Sequence, residues 1–186
     1  MRRIPALLLA ISSSLAGAAV PEPPSDSIYQ LSMKMTDQAG ATVSLDVFRN
    51  RPVLISMFYG SCPHVCPLLV ATIQQIERQL PAAARQRTSV LLVSLDPQRD
   101  TPEQLATLAG RHNTDLARWK FARVEPDDVR KLAAVLNVQY RRLPDGEFNH
   151  STVISLLSPT GRITAQTTKL GMPDPDFVKA VAESRP

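Results

Sequence analysis

Nearly unbroken apolar runs, with helical stripes between them, set the organisation of this chain. Residues 53–59, Val-Leu-Ile-Ser-Met-Phe-Tyr, are the short β-branched, aliphatic and aromatic run that a fully buried central strand carries. After it, Leu69, Ile73, Ile76 and Leu80 recur at spacings of four, three and four, which lays one apolar stripe along a helix. Pro67 suits the first position of that helix and Pro81 cannot continue it, so both ends are marked. Residues 89–95 form a second buried run. The helix between the two runs supplies the crossover that a parallel strand pair needs.

The flanking segments extend the same reading. Leu31, Met33 and Met35 alternate with polar residues, and Gln38-Ala39-Gly40 turns the chain into a second alternating segment at Val43 and Leu45. Asp100 followed by Glu103, with Pro102 between them, reads as a capping box opening a helix whose apolar face starts at Leu105 and Leu108 and which Gly110 ends. Residues 119–124 predict a third strand. A helix follows from Glu125, with Val129, Leu132, Ala133 and Leu136 on its buried face. Residues 153–157 and 163–167 predict a hairpin around Ser158-Pro159-Thr160-Gly161, and Phe177, Val178 and Val181 the inner side of a closing helix. The order predicts an α/β protein with a central mixed sheet covered by helices on both faces, an N-terminal β-hairpin and a C-terminal hairpin plus helix.

The N-terminus reads differently. Met1-Arg2-Arg3, the apolar stretch from Leu7 to Leu15 and the small residues Ala16-Gly17-Ala18 form an export signal over residues 1–19, either cleaved or retained as an anchor. Residues 20–27 form a Pro/Ser/acidic linker, and 28–186 the folded domain. Export places the protein in the periplasm of a bacterial cell envelope, and membrane contact is expected only through an uncleaved N-terminal segment. Losing Arg2 and Arg3 lowers the formal charge from +4 to +2. With scattered arginines and few aromatics this is no nucleic-acid footprint.

Candidate chemistry concentrates at Cys62-Pro63-His64-Val65-Cys66-Pro67, which holds both cysteines of the chain at a strand-to-helix junction. Unpaired N–H groups and the helix dipole at such a junction favour a thiolate at Cys66. Three intervening residues place the sulfurs one helical turn apart, within reach of a shared metal ion or of each other. Two thiolates and one imidazole form a soft site suited to copper(I), whereas structural zinc wants a fourth ligand. A metal-free redox dithiol and a structural bridge fit the spacing as well. A thiol peroxidase fits less, since no Thr stands just before a single peroxidatic Cys. Met33 and Met35 offer thioethers, yet at period two they read as core. His112 reads as surface, and His150, taken alone, as a histidine of a surface loop ahead of a strand. His64 lies between the cysteines and approaches the sulfurs only if that segment is a loop.

Three segments then carry a resemblance: the cysteine motif after an apolar strand, Ser94-Leu95-Asp96-Pro97-Gln98-Arg99-Asp100-Thr101-Pro102, and His150-Ser151 ahead of Ser158-Pro159-Thr160-Gly161. In this order they resemble the SCO/SenC family of copper-binding, thioredoxin-fold proteins, from about residue 28 to near the C-terminus. The resemblance implies a thioredoxin-like α/β/α sandwich and a copper site made by Cys62, Cys66 and His150. It also implies copper as cargo, Cu(I) and also Cu(II), delivered to the binuclear copper centre of cytochrome c oxidase or another copper enzyme after receipt from an upstream donor. The alternative role is metal-independent reduction of acceptor cysteines, with Cys62 attacking and Cys66 resolving. His64, Asp96, Arg99 and Asp100 are expected to support the site or to meet a partner. Two positions depart from the commoner pattern. His64 stands where many members carry an acidic residue between the cysteines, and Asn149 where many have Asp before the histidine.

Overall fold

A computed structural model gives the structure of residues 22–61 and 65–185, with backbone only at Val65 and Cys66. The two continuous apolar runs become the centre of the sheet. β3 (Val53–Phe58) and β4 (Ser89–Ser94) are buried at every position and pair in parallel from Val53↔Ser89 to Phe58↔Ser94. Burial on both faces is what their lack of alternation demands. Around them the seven-stranded sheet runs β2-β1-β5-β4-β3-β8-β9. β5 (Trp119–Val124) continues the parallel part, while β1 (Lys34–Asp37), β2 (Thr42–Ser44), β8 (Ile154–Leu157) and β9 (Ile163–Thr167) add antiparallel edges. The sheet is therefore mixed, with a hairpin at each end, and Met33 and Met35 lie in its core.

The helices follow the predicted stripes with informative shifts. α1 (Val65–Gln79) buries Leu69, Val70, Ile73 and Ile76, but it starts two residues before Pro67. Proline is tolerated there because the first four N–H groups of a helix have no intrahelical acceptor. The chain then turns at Pro81 into α2 (Ala82–Arg87), a short helix that the apolar pattern does not announce. α3 (Pro102–Arg111) is capped by Thr101, whose hydroxyl accepts from the Gln104 N–H, and Gly110 lies inside it. The predicted capping box at Asp100 is thus wrong by one residue, and Asp100 is free for other work. α4 (Pro126–Val135) and α5 (Pro175–Glu183) bury Val129, Leu132 and Ala133, and Phe177 and Val181. Among the described residues no helix is long and apolar enough to cross a membrane.

The largest difference from the sequence pattern is a separate two-stranded sheet, β6 (Tyr140–Arg142) and β7 (Phe148–His150), where a loop was expected. Its turn is closed by Gly146, at φ +87, donating its N–H to the Leu143 carbonyl. Glycine meets that left-handed conformation without Cβ strain. His150, expected ahead of a strand, ends β7 opposite Tyr140.

Candidate functional site

Cys62 and His64 lie outside the described residues, as does the side chain of Cys66. The helical backbone at Cys66 places it at the start of α1, where orphan N–H groups favour negative charge. The surroundings of the cysteine segment are described on both sides of it.

His150 approaches from the hairpin. Its ring stands edge-on to Tyr59 with centroids 5.5 Å apart, and Tyr59 also packs against Phe148 at 5.4 Å. Tyr59 precedes Cys62 by three residues, a reach of about 10 Å at full extension. His150 Nδ1 lies 3.0 Å from the Ser151 carbonyl oxygen. A carbonyl only accepts, so Nδ1 must donate and the neutral ring keeps its lone pair on Nε2. Burial pushes the imidazole below its ordinary value of 6.5, against a smaller upward pull from that carbonyl. This is the tautomer and charge state that a soft-metal ligand requires. Ser151 is itself fixed, since its N–H donates to the Gln139 carbonyl and its hydroxyl accepts from the Gln139 N–H.

The loop after β4 holds the other side. Asp100 is buried at 2% exposure, and its two carboxylate oxygens accept from the Gly60 N–H at 2.9 and 3.1 Å. The Ser94 hydroxyl donates to the same carboxylate at 2.5 Å and in turn accepts from the Asp96 N–H. Burial raises the Asp100 carboxyl above its ordinary value, while the bonds from Ser94 and Gly60 lower it; the balance is upward. Gly60 is required by this approach, since a Cβ there would lie 2.5 Å from Asp100 Oδ1. Asp100 therefore anchors the backbone two residues before Cys62.

Arg99 ties the loop to the hairpin. Its guanidinium pairs with Asp96, donates to the Gly146 carbonyl at 2.5 Å and meets Glu147 at 3.5 Å. The β6–β7 turn is clamped to the loop after β4, which restrains the hairpin that ends in His150. A cleft of about 440 Å³ opens beside Gly60 and Ser61 and is lined further by Arg99, Asp100, Leu105 and Arg111. His112, expected at the surface, is half-buried, and its backbone carbonyl accepts from Gln74.

Of the residues singled out from sequence, Asp96, Arg99 and Asp100 form one bonded loop, which Arg99 joins to the turn of the hairpin that ends in His150. Among the described residues no three His, Cys, Asp or Glu side chains converge on a metal-sized site. The turn at Pro144-Asp145-Gly146 was legible in the sequence, whereas the two strands it joins and the roles of Tyr59, Gly60 and Ser94 were not. Pro144-Asp145-Gly146, followed by Phe148 and His150, was the available signal for the hairpin.

With this geometry in hand, the comparisons with known proteins agree on one kinship. A protein of Stutzerimonas stutzeri named for copper binding is 24% identical over 135 residues, which are 70% of this chain and 65% of that protein's length. The structure of Bradyrhizobium japonicum ScoI with copper bound superposes with a TM-score of 0.65 at 22% identity, covering 81% of this chain and 92% of that one. BsSco, described as a Sco-family cytochrome c oxidase assembly protein with a disulfide switch, gives a TM-score of 0.65 at 21% identity, over 81% of this chain and 91% of its own. These likenesses make the fold thioredoxin-like. The SCO1/SenC family model matches residues 22–183, most of the sequence, and the chain belongs to the SCO1/SenC family.

Proposed function

We propose that this protein is an extracytoplasmic copper chaperone that holds one copper ion, its cargo, through Cys62, Cys66 and the Nε2 of His150. The observation that carries the reading is the state of His150. Its Nδ1 lies 3.0 Å from the Ser151 carbonyl oxygen, its ring stands edge-on to Tyr59, three residues before Cys62, and burial disfavours its charged form. Two thiolates and one imidazole bind copper(I) at low coordination number, which leaves room for an incoming cysteine or methionine of an acceptor. Transfer then proceeds by ligand exchange: an acceptor sulfur enters as a ligand of this chain leaves. The acceptor is the copper-binding subunit of cytochrome c oxidase or another copper enzyme, and an upstream donor loads the site. Residues 1–19 direct export to the periplasm and 20–27 lead into the folded domain.

A second reading rests on the same helix start. A thiolate favoured at Cys66 by the orphan N–H groups of α1 also suits disulfide exchange, in which Cys62 attacks an acceptor disulfide and Cys66 resolves the mixed disulfide. Anaerobic reconstitution with copper(I), followed by thiol titration, separates the two. One retained equivalent that masks both thiols supports the chaperone. No retained copper, with rapid exchange against a model disulfide, supports the reductant. His64 is a competing ligand, and comparing His64→Ala with His150→Ala by copper(II) spectra assigns the imidazole. A change in His64→Ala alone contradicts the assignment to His150.

A further inference from the structure

We propose that Arg130, Arg141 and Arg142 form a docking surface for an acidic face of the partner that receives copper. The three side chains are exposed and line, with Tyr140, one shallow depression of about 470 Å³ between α4 and β6. Among the described residues none of them makes a side-chain hydrogen bond or ion pair, and three neighbouring carboxylates are engaged by other cations, while Asp127, one turn before Arg130 on α4, is exposed. Asp128 is paired with Lys131 at 2.7 Å, and Asp96 and Glu147 both face Arg99. Directly across the hairpin from Arg141 stands Asn149, which is neutral and leaves the guanidinium uncompensated. Three arginines unpaired among the described residues, on one face of a chain whose formal charge is +2 without Arg2 and Arg3, repel each other and attract an acidic surface.

The position says which partner. A second depression, lined by Asn149, His150 and Ser151, shares Gln139, Tyr140 and Arg141 with the first. A protein seated on the arginines therefore covers His150. This placement favours the copper acceptor over an anionic membrane, because a flat bilayer held there would block the histidine from exchange. The identity of the partner rests on the copper-chaperone reading, whereas the surface does not.

The test uses the mature protein and three labelled peptides sharing a Cys-x-x-x-Cys core flanked by Glu, Ser or Lys. Binding to the copper-free protein is read by fluorescence anisotropy, and copper transfer from the loaded protein by the change in thiolate-to-copper absorption. At about 20 mM salt the Glu-flanked peptide is expected to bind and to take copper about tenfold better than the Ser-flanked one, an advantage lost at about 300 mM. The R130S/R141S/R142S variant is expected to lose that advantage while serving the Ser-flanked peptide as the unsubstituted protein does. Equal behaviour of the Glu and Ser peptides, or an advantage that survives in the variant, overturns the proposal. Arginine-dependent binding to phosphatidylglycerol vesicles without any preference among the peptides overturns it in favour of a membrane contact. Failure to retain copper, with the binding preference intact, refutes the chaperone reading and leaves the surface standing.

Discussion

Replacing Asp100 by Ala removes the anchor of the backbone at Gly60, two residues before Cys62 in the chain. The substitution leaves the Gly60 N–H, held at 2.9 and 3.1 Å, and the Ser94 hydroxyl, held at 2.5 Å, without their acceptor. A buried donor left unpaired costs about 1–3 kcal/mol. Ser94 is fully buried, but Gly60 is only half-buried and can recover water, so the sum comes to about 3 kcal/mol. For a domain of this size that is a fall in Tm of about 6–12 °C. Asp100→Asn keeps one oxygen in place and is expected to lose only about 1 kcal/mol. Burial raises the folded-state carboxyl above its ordinary value of 3.8, the value expected of the unfolded chain. In the window between those two values the folded state binds more protons, so this group adds stability as the pH falls through its folded value. The stability difference between the unsubstituted protein and Asp100→Asn should therefore shift in favour of the former on acidification from pH 7 to pH 4. Urea unfolding of the three proteins across that range measures it. Equal, small losses in the Ala and Asn variants, or a difference flat with pH, would show that the carboxylate is not the anchor described.

Other substitutions test neighbouring parts of the account. Arg99→Ala releases the β6–β7 turn from its bonds to Asp96, Gly146 and Glu147, and should weaken copper(I) binding about tenfold in a competition titration while leaving the reactivity of the free thiols unchanged. Glu77, 6% exposed, accepts from Arg118 at 2.5 Å and from the Trp119 indole at 3.1 Å; Glu77→Ala should lose about 3 kcal/mol in chemical denaturation because a guanidinium and an indole lose their shared acceptor. Gly161 has φ +82, and a Cβ there would lie 2.4 Å from Ser27 Oγ and 2.5 Å from Tyr29 Cδ2; Gly161→Ala should lower Tm by several degrees, the residues before β1 being displaced from the β8–β9 turn.

The sheet centre was legible because β3 and β4 lack alternation, and only burial on both faces accounts for that. α1 was legible from its stripe, but its start was not. Pro67 is compatible with any of the first positions of a helix, so it marks a region and not a residue. Asp100 shows why a local motif can mislead. Asp and Thr are both good caps, the sequence has them side by side, and the tertiary bond to Gly60 decides which one is used. The hairpin carrying His150 was missed because three-residue strands with exposed arginines carry no apolar run. Its stability comes from Arg99 and the Tyr59 ring, partners distant in sequence, and from the Tyr140–Phe148 ring contact between its own strands. The same distance hid His150, whose ring contact with Tyr59, three residues before Cys62, is a property of the fold; its role as a ligand entered the sequence reading only through family resemblance.

The central claim is a copper ion shared by two sulfurs and one imidazole. X-ray absorption of the protein loaded anaerobically with one equivalent of copper(I) tests it most directly, recorded beside His150→Ala. The account predicts two sulfur neighbours and one nitrogen neighbour at copper, with the nitrogen lost in His150→Ala and both sulfurs kept. An unchanged nitrogen contribution in that variant, or copper bound by sulfur alone in the unsubstituted protein, would contradict it.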